Sequence, residues 1–389
     1  MTINASNTMG FLVFIGFFAV YFSAFLNQYI PILKGPLLIV FLVLGVFLSF
    51  SKAYREDLKI TLAFFFIPSF LILLGGLAGY NSTLENIIYV FFYFPIILGY
   101  VFSFRFELFF KLIKCFIVIN LLAMSYEFLT ISYFLEPTSD LPMFIGRAKG
   151  FISYSKEAGS FILLFTLLFI QYLRPQWFIA LLFSSILTGS RLAMLIVFLA
   201  IIIEIVNRMK LRHIFSPVMI LVSLASLLII LYGIYLYSNL EQSTLILERL
   251  AGTLDTDHSS NTERINFWTS HLGVYDDFDH IQYLFGSPGE SIYIVKNGAE
   301  SALINLLTDG GVVAVLVYMS AIIFMFFLIK LKVNTFLHLL LLIFAMQLSR
   351  VNIGFLDATL FWAYFGYLVK RSTKGTHSAA SNNDTFFNW

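Results

Sequence analysis

Apolar residues fall in long blocks along this chain, with short polar connections between them. Windows of about 17 to 25 predominantly apolar residues can cross a hydrocarbon layer as helices. Apolar windows of this kind, some of them shorter, recur near residues 9–26, 36–50, 60–79, 87–104, 111–134, 159–173, 177–189, 190–206, 216–237, 302–329, 336–349 and 358–369. The pattern predicts an all-α polytopic integral membrane protein of about twelve transmembrane helices, with roughly ten to twelve as the range. The longest block, Trp177 to Val206, reads WFIALLFSSILTGSRLAMLIVFLAIIIEIV and carries only two charges, Arg191 and Glu204. As one helix it would run for about 45 Å at roughly 1.5 Å per residue, against a hydrocarbon core of about 30 Å. Thr188-Gly189-Ser190 supplies a break. The block is therefore expected to form two short helices meeting at a turn, which lifts Arg191 out of the mid-bilayer position where an arginine is expensive.

Basic residues mark alternate connections. Lys52, Arg55 and Lys59, then Arg105, Lys111 and Lys114, then Arg174, then Arg208, Lys210 and Arg212, then Lys330 and Lys332, then Lys370, Arg371 and Lys374 account for 15 of the 24 Lys and Arg. Such ends face the cytoplasm by the positive-inside rule, which also places both termini there. The opposite side carries the longer connections, residues 135–158 and the 64 residues of 238–301. The layout divides into an N-terminal bundle over 1–237, a long external loop over 238–301, C-terminal spans over 302–369 and a cytoplasmic tail over 370–389. The Thr188–Arg191 turn then faces outward. There Arg191 either snorkels to lipid head groups or binds an anion.

Composition agrees with the pattern. The chain of 389 residues is 59% hydrophobic and 12% charged, whereas a soluble domain has about 25% charged residues. Met9 to Leu26 lacks a basic stretch before it and a convincing small-residue cleavage site after it, so it is expected to be a retained span. A net charge of +2 gives no reason to expect a nucleic-acid partner. The single cysteine, Cys115, lies in an apolar segment and supports neither an internal disulfide nor a cysteine-rich metal site.

The long loop holds most of the candidate chemistry. A helical pattern is expected around Leu240, Leu245, Leu247 and Leu250, and a second over Glu263 to Leu272, with Ile265, Trp268 and Leu272 on one face and Asn261 as N-cap. Two such helices over the bilayer surface would form a lid. Ser287-Pro288-Gly289 marks a turn. Arg249 and Arg264 each sit on one of these helices. Their planar guanidinium groups suit phosphate oxygens, or they pair with the adjacent acids Glu248 and Glu263 on a solvated face. Asp255-Thr256-Asp257 has the spacing of a nucleotide-sugar metal site, but nucleotide sugars are cytoplasmic. His258, His271 and His280 with Asp276, Asp277 and Asp279 lack the tight spacing of a metal motif. No metal or other cofactor is expected.

Glu300 and Ser301 stand where the loop re-enters the membrane, and Asn305 and Asp309 follow in AESALINLLTDGG. Helical offsets place Glu300, Asn305 and Asp309 in one broad sector. Glu300 either caps the helix, where the dipole favours a carboxylate, or acts as a general base.

TGSR at the turn, ERL (Glu248 to Leu250), TER followed by Trp268, LFGSPG (Leu284 to Gly289) and ESALINLLTDGG occur in an order and on a side that resemble the bacterial O-antigen polymerases (Wzy) and the related O-antigen ligases. Ligases of this superfamily carry His, then Asn, Ser or Gln, nine residues, then Gly-x-x-Gly, Thr or Val. Here Glu300 takes the histidine position, Ser301 and Gly311 fit, and Ala314 departs, which favours polymerase over ligase. The resemblance implies a GT-C-like, metal-independent glycosyltransferase of the bacterial inner membrane with its active site facing the periplasm. It would join repeat units carried on undecaprenyl pyrophosphate, beside a chain-length regulator as partner. It also implies that Arg191 and Arg264, with Arg249 and Arg350, bind pyrophosphate, that Glu300 is base or orienter, and that Trp268 and Ser301 contact substrate. A ligase that transfers glycan to lipid A core, or a flippase for lipid-linked oligosaccharides, is the alternative. A flippase would place ionisable groups inside the bundle, where the chain has chiefly Glu127 and Glu204.

Overall fold

The computed structural model describes residues 70, 106–130, 132, 147–152, 155–208, 259–328, 333–349 and 355–375. Among these residues every regular element is a helix and no strand occurs. In chain order they are α1 (Phe106–Thr130), α2 (Ser155–Phe169) with a 3-10 turn (Ile170–Tyr172), α3 (Gln176–Leu187), α4 (Arg191–Arg208), α5 (Ser259–Asp276), α6 (His280–Phe285), α7 (Glu290–Val295), α8 (Ala302–Leu328), α9 (Val333–Leu348) and α10 (Phe355–Gly375). Two segments, Phe110–Thr130 and Ala302–Leu328, are helical, long and apolar enough to cross a membrane; Gln176–Leu187 and Phe336–Leu348 are apolar but shorter. The spans expected at 9–26, 36–50, 87–104 and 216–237 lie outside the described residues, as do that at 60–79 apart from Phe70, the loop helix expected near 240–250, Arg249 and Arg350.

The chain separates into two compact units, Met1–Ile117 with Arg264–Leu331 and Ile343–Trp389, and Val118–Glu263 with Lys332–Leu342. In the second unit α2 is the central element. Every residue from Ala158 to Phe169 is buried, and α3 and α4 pack against it. The expected break is present: α3 ends at Leu187, Gly189 takes φ 61°, and α4 begins at Arg191. A Cβ on Gly159 would lie 2.7 Å from the Cβ of Ser190. The missing side chain thus lets α2 approach the turn closely, the use that small residues have in membrane helix packing.

At the other end of this hairpin Arg208 Nη2 donates to the carbonyls of Ile170 (3.1 Å), Gln171 (3.2 Å) and Leu173 (2.7 Å), while its Nε meets Glu204 at 2.7 Å. One guanidinium thereby satisfies carbonyls left over where α2 tightens and stops. Arg208 also accounts for the charge on Glu204, a residue only 2% exposed. The other charge inside a span, Glu127 of α1, is fully buried. Its Oε2 accepts the backbone N–H groups of Lys149 (2.7 Å) and Gly150 (2.8 Å), and Asn120 Oδ1 accepts that of Phe151 (2.8 Å). Ala148 N donates to Leu187 O at 2.8 Å, so residues 148–151 are pinned both to α1 and to the end of α3. Lys149 is buried in this arrangement, and burial pushes its amine pKa below the usual lysine value against the opposing pull of Glu127.

The first unit centres on α8 and α10. Tyr318 stacks on Phe361 with centroids 5.7 Å apart and meets Trp362 edge-on at 5.2 Å, and Trp362 meets Phe365 at 5.8 Å. Offset and edge-to-face pairs are the favoured aromatic geometries. The last helix runs through Lys370 and Arg371 to Gly375, beyond the span end expected at 369. Basic residues are good helix formers and are favoured near a helix C-terminus.

Candidate active site at the loop–helix junction

Residues 264–311 of the first unit's loop and span entry are joined by two short apolar-polar helices and a pair of glycines. Asp279 caps α6 by accepting from Ile281 N and Gln282 N, both at 2.8 Å, and Gln282 completes a capping box. Gly286 ends α6 at φ 74°, and the expected turn at 287–289 follows. Ser287 N then donates to Thr308 O (2.9 Å), and Gly289 N to Asp309 Oδ1 (3.0 Å). The turn is therefore laid along α8 at the positions of TDGG.

Gly311 interrupts α8 with φ 65° and ψ −172°. A Cβ there would strike the backbone of Leu284 and Phe285, and one on Gly286 would strike the backbone of Asp309 and Gly310. LFGSPG and TDGG are thus one feature in space: two stretches of main chain that only glycine allows to approach so closely at positive φ. Asp309, expected to share a sector with Glu300, instead receives the turn.

The packed face of α5 consists of Arg264, Trp268, His271 and Tyr275, spaced to share one side of a helix. Arg264 Nε meets Glu300 Oε2 at 3.2 Å, His271 Nε2 lies 2.8 Å from Asn297 O, and Tyr275 Oη donates to Tyr283 O at 2.9 Å. Burial, then the neighbouring Tyr283 and Asp276, pushes the Tyr275 phenol up to about 12. Ile265 and Leu272, expected on one face with Trp268, are 51% and 38% exposed. Side-chain hydrogen bonds to the 283–300 segment orient α5, not its aliphatic residues. The helix also starts at Ser259, so Asn261 stands inside its first turn and not at the N-cap.

The partner of Arg264 is Glu300, 36 residues away, and not the adjacent Glu263. Each side chain of the pair is about a third exposed, 33% and 32%. Ion pairs so open to solvent contribute at most about 1 kcal/mol. Glu300 has φ 58°, and Lys296 has φ 62°. A non-glycine residue in this left-handed region costs on the order of 1 kcal/mol or more. Glu300 does not cap α8. Ser301, fully buried, does so, its Oγ accepting from Ile304 N at 3.3 Å.

Several buried polar atoms around this junction lack a protein partner among the described residues: Trp268 Nε1, Ser287 Oγ, Ser291 Oγ and both amide atoms of Asn305. The sequence singles out Trp268 as a candidate contact but neither of these serines nor the amide of Asn305, whose burial without a partner appears only in the fold. Among the described residues no group of three or more His, Cys, Asp or Glu side chains could hold a metal ion.

Arg191 belongs to the second unit, as the first residue of α4. Ser190 Oγ accepts from Ala193 N at 3.4 Å, and Thr188 Oγ1 accepts from Ser190 N at 3.2 Å. A cation at a helix N-terminus opposes the helix dipole. No family model matches the chain, and no curated protein matches it in sequence.

Proposed function

We propose that this chain is a membrane-embedded glycosyltransferase that polymerises lipid-pyrophosphate-linked oligosaccharide repeat units outside the cytoplasmic membrane, in the manner of an O-antigen polymerase. The observation that carries the reading is the Arg264–Glu300 pair at the entry to an apolar span, with Glu300 held in a left-handed conformation. Strained backbone persists where surrounding structure over-determines it, and it gathers at functional sites. Supporting it are the resemblance of the motifs and their order, and the bonds by which LFGSPG and TDGG meet on the helix that follows Glu300.

In the reaction a hydroxyl of the incoming repeat unit attacks the anomeric carbon of the lipid-linked chain. The new glycosidic bond forms as the bond from that carbon to pyrophosphate breaks, and the electron pair leaves with the pyrophosphate. Glu300 takes the hydroxyl proton. Arg264 holds the departing charge, since its fork matches phosphate oxygens and needs no metal. It touches Glu300 through Nε. An arriving pyrophosphate that draws the guanidinium to itself would release the carboxylate for its task as base, so binding and activation are one event. The resemblance assigns Arg191, Arg249 and Arg350 to anion binding as well, and each is tested by its own substitution.

Deletion in the host bacterium, followed by gel analysis of its lipopolysaccharide, tests the reading. A polymerase leaves a single repeat unit on the core. Unattached lipid-linked polymer would mean a ligase, and bare core without such polymer a flippase; either result overturns it. Arg264→Ala or Glu300→Gln restored to the deletion strain should give protein in the membrane but at least ten-fold fewer long chains.

A further inference from the structure

Asn305 is 3% exposed, and neither its amide nitrogen nor its amide oxygen meets a hydrogen-bond partner among the described residues. It lies one turn before Asp309 on the same side of α8, the side that receives the 287–289 turn through Gly289 N. Ser291, two residues past that turn on α7, is fully buried, its hydroxyl likewise unpartnered, and α7 packs on α8. Just before this stretch stand Ser301, whose carbonyl accepts from Asn305 N at 3.1 Å, and Glu300.

A buried amide with no partner forfeits hydrogen bonds it would make in water, a cost that an apolar residue of similar shape would avoid. Leucine has nearly the shape of asparagine and suits the apolar helix. Retaining the amide is understandable if it meets a guest. That guest must both donate and accept, because Asn305 and Ser291 together offer a carbonyl, an amide N–H and a hydroxyl. It must also be neutral, since the Asp309 carboxylate, one turn on and already accepting from Gly289 N, would repel an anion and has a backbone donor in place of a cation. A sugar hydroxyl meets both conditions.

We infer that Asn305, together with Ser291, forms a neutral hydrogen-bonding wall that receives a sugar hydroxyl of the glycan next to the Arg264–Glu300 pair. This rests on the glycosyltransferase reading, and it divides the site by chemistry: charge is handled by Arg264 and Glu300, and the sugar ring is oriented by uncharged groups. Asn305 is in this sense a positioning residue, whose loss misaligns the attacking or reacting sugar without removing base or anion holder.

The test uses Asn305→Leu and Ser291→Ala in the full-length protein, measured two ways. In the deletion strain, Asn305→Leu should lower long-chain glycan at least ten-fold relative to the single-repeat product, and Ser291→Ala should lower it less. Melting of the purified protein in detergent should be unchanged or raised in both, because a structural role would move it down. Normal chains with Asn305→Leu overturn the inference and leave the polymerase reading standing. A lowered melting temperature overturns it too, since the amide would then be satisfied by a water that is part of the fold. Deletion that leaves long chains intact removes the polymerase reading and this inference with it.

Discussion

Two glycine-containing turns among the described residues treat their polar groups in opposite ways. At the α3–α4 turn the hydroxyls of Thr188 and Ser190 are used locally: Thr188 Oγ1 donates to Ser185 O at 2.7 Å and accepts from Ser190 N, and Ser190 Oγ caps α4, while Ser184, one turn back on α3, is left unmet among the described residues. At the α6–α8 junction Ser287, Ser291 and Asn305 are buried with side-chain atoms unmet, and Glu300 holds a conformation that suits glycine. The first turn is organised for its own stability. The second gives up stability, which is how a site prepared for a ligand differs from a scaffold.

The comparison can be broken most forcefully at Gly311. Gly311→Ala would add strain of roughly 1–3 kcal/mol, since φ 65° with ψ −172° is a region that glycine almost alone occupies, to a backbone collision costing about 1–3 kcal/mol. The mutant is expected to lose about 2–6 kcal/mol or fail to accumulate in the membrane; a melting temperature near wild type would mean that the two main chains are not in contact. Glu127→Ala comes next. It strips the buried acceptor from two backbone N–H groups, at a cost of about 2–3 kcal/mol, with no gain or loss of function beyond that of reduced stability.

Tyr275→Phe is smaller, about 1 kcal/mol for one hydrogen bond. Its pH dependence has a definite sign. The phenol's pKa is raised in the folded state to about 12 from 10.0, so its contribution is complete below pH 10 and is lost as pH rises through about 12. The gap between wild type and Tyr275→Phe in thermal melting should narrow over that window. A gap constant with pH would show that the phenol titrates normally. Smallest in stability, and sharpest for the comparison, is Glu300→Gly. Relief of about 1 kcal/mol of strain offsets loss of an ion pair worth at most about 1 kcal/mol, so melting should shift little or upward while long-chain glycan disappears. A large fall in stability would class Glu300 with the scaffold.

What the sequence disclosed follows from the range of the interaction. The Thr188–Ser190 break was legible because length and a glycine are local facts. Arg174 and Arg208 fall at one end of the hairpin because the same basic residues that orient spans sit at their ends, and Arg208 reaches the carbonyls around 170–173. The start of α5 was misplaced because Ser259, Ser260 and Asn261 are all cap-type residues, and periodicity does not choose among them. Its packed face could not be read from periodicity, because it is set by polar contacts to Asn297 and Glu300, far along the chain, and not by Ile265 and Leu272. The partner of Arg264 was equally hidden, since a neighbour in sequence competes with every acid the fold can bring near. Glu127 was visible as a charge in a span, while the backbone N–H groups it holds, 22 and 23 residues on, were not.

Arg208 has a consequence for how the hairpin can be seated in a bilayer. A helix of 12 residues, as α3 is, rises about 18 Å, well short of a hydrocarbon layer of about 30 Å. The 18 residues of α4 rise about 27 Å and nearly suffice. Were the hairpin to lie in a bilayer with its turn at one surface, the chain entering α3 would start short of the opposite surface, where the carbonyls that end α2 would want for water. The guanidinium at the far end of α4 reaches back and supplies the donors that water cannot. The longer helix thus carries, on its last residue, the donors that the carbonyls at the end of α2 require, and the three-helix arrangement would take its place in a membrane only as a whole.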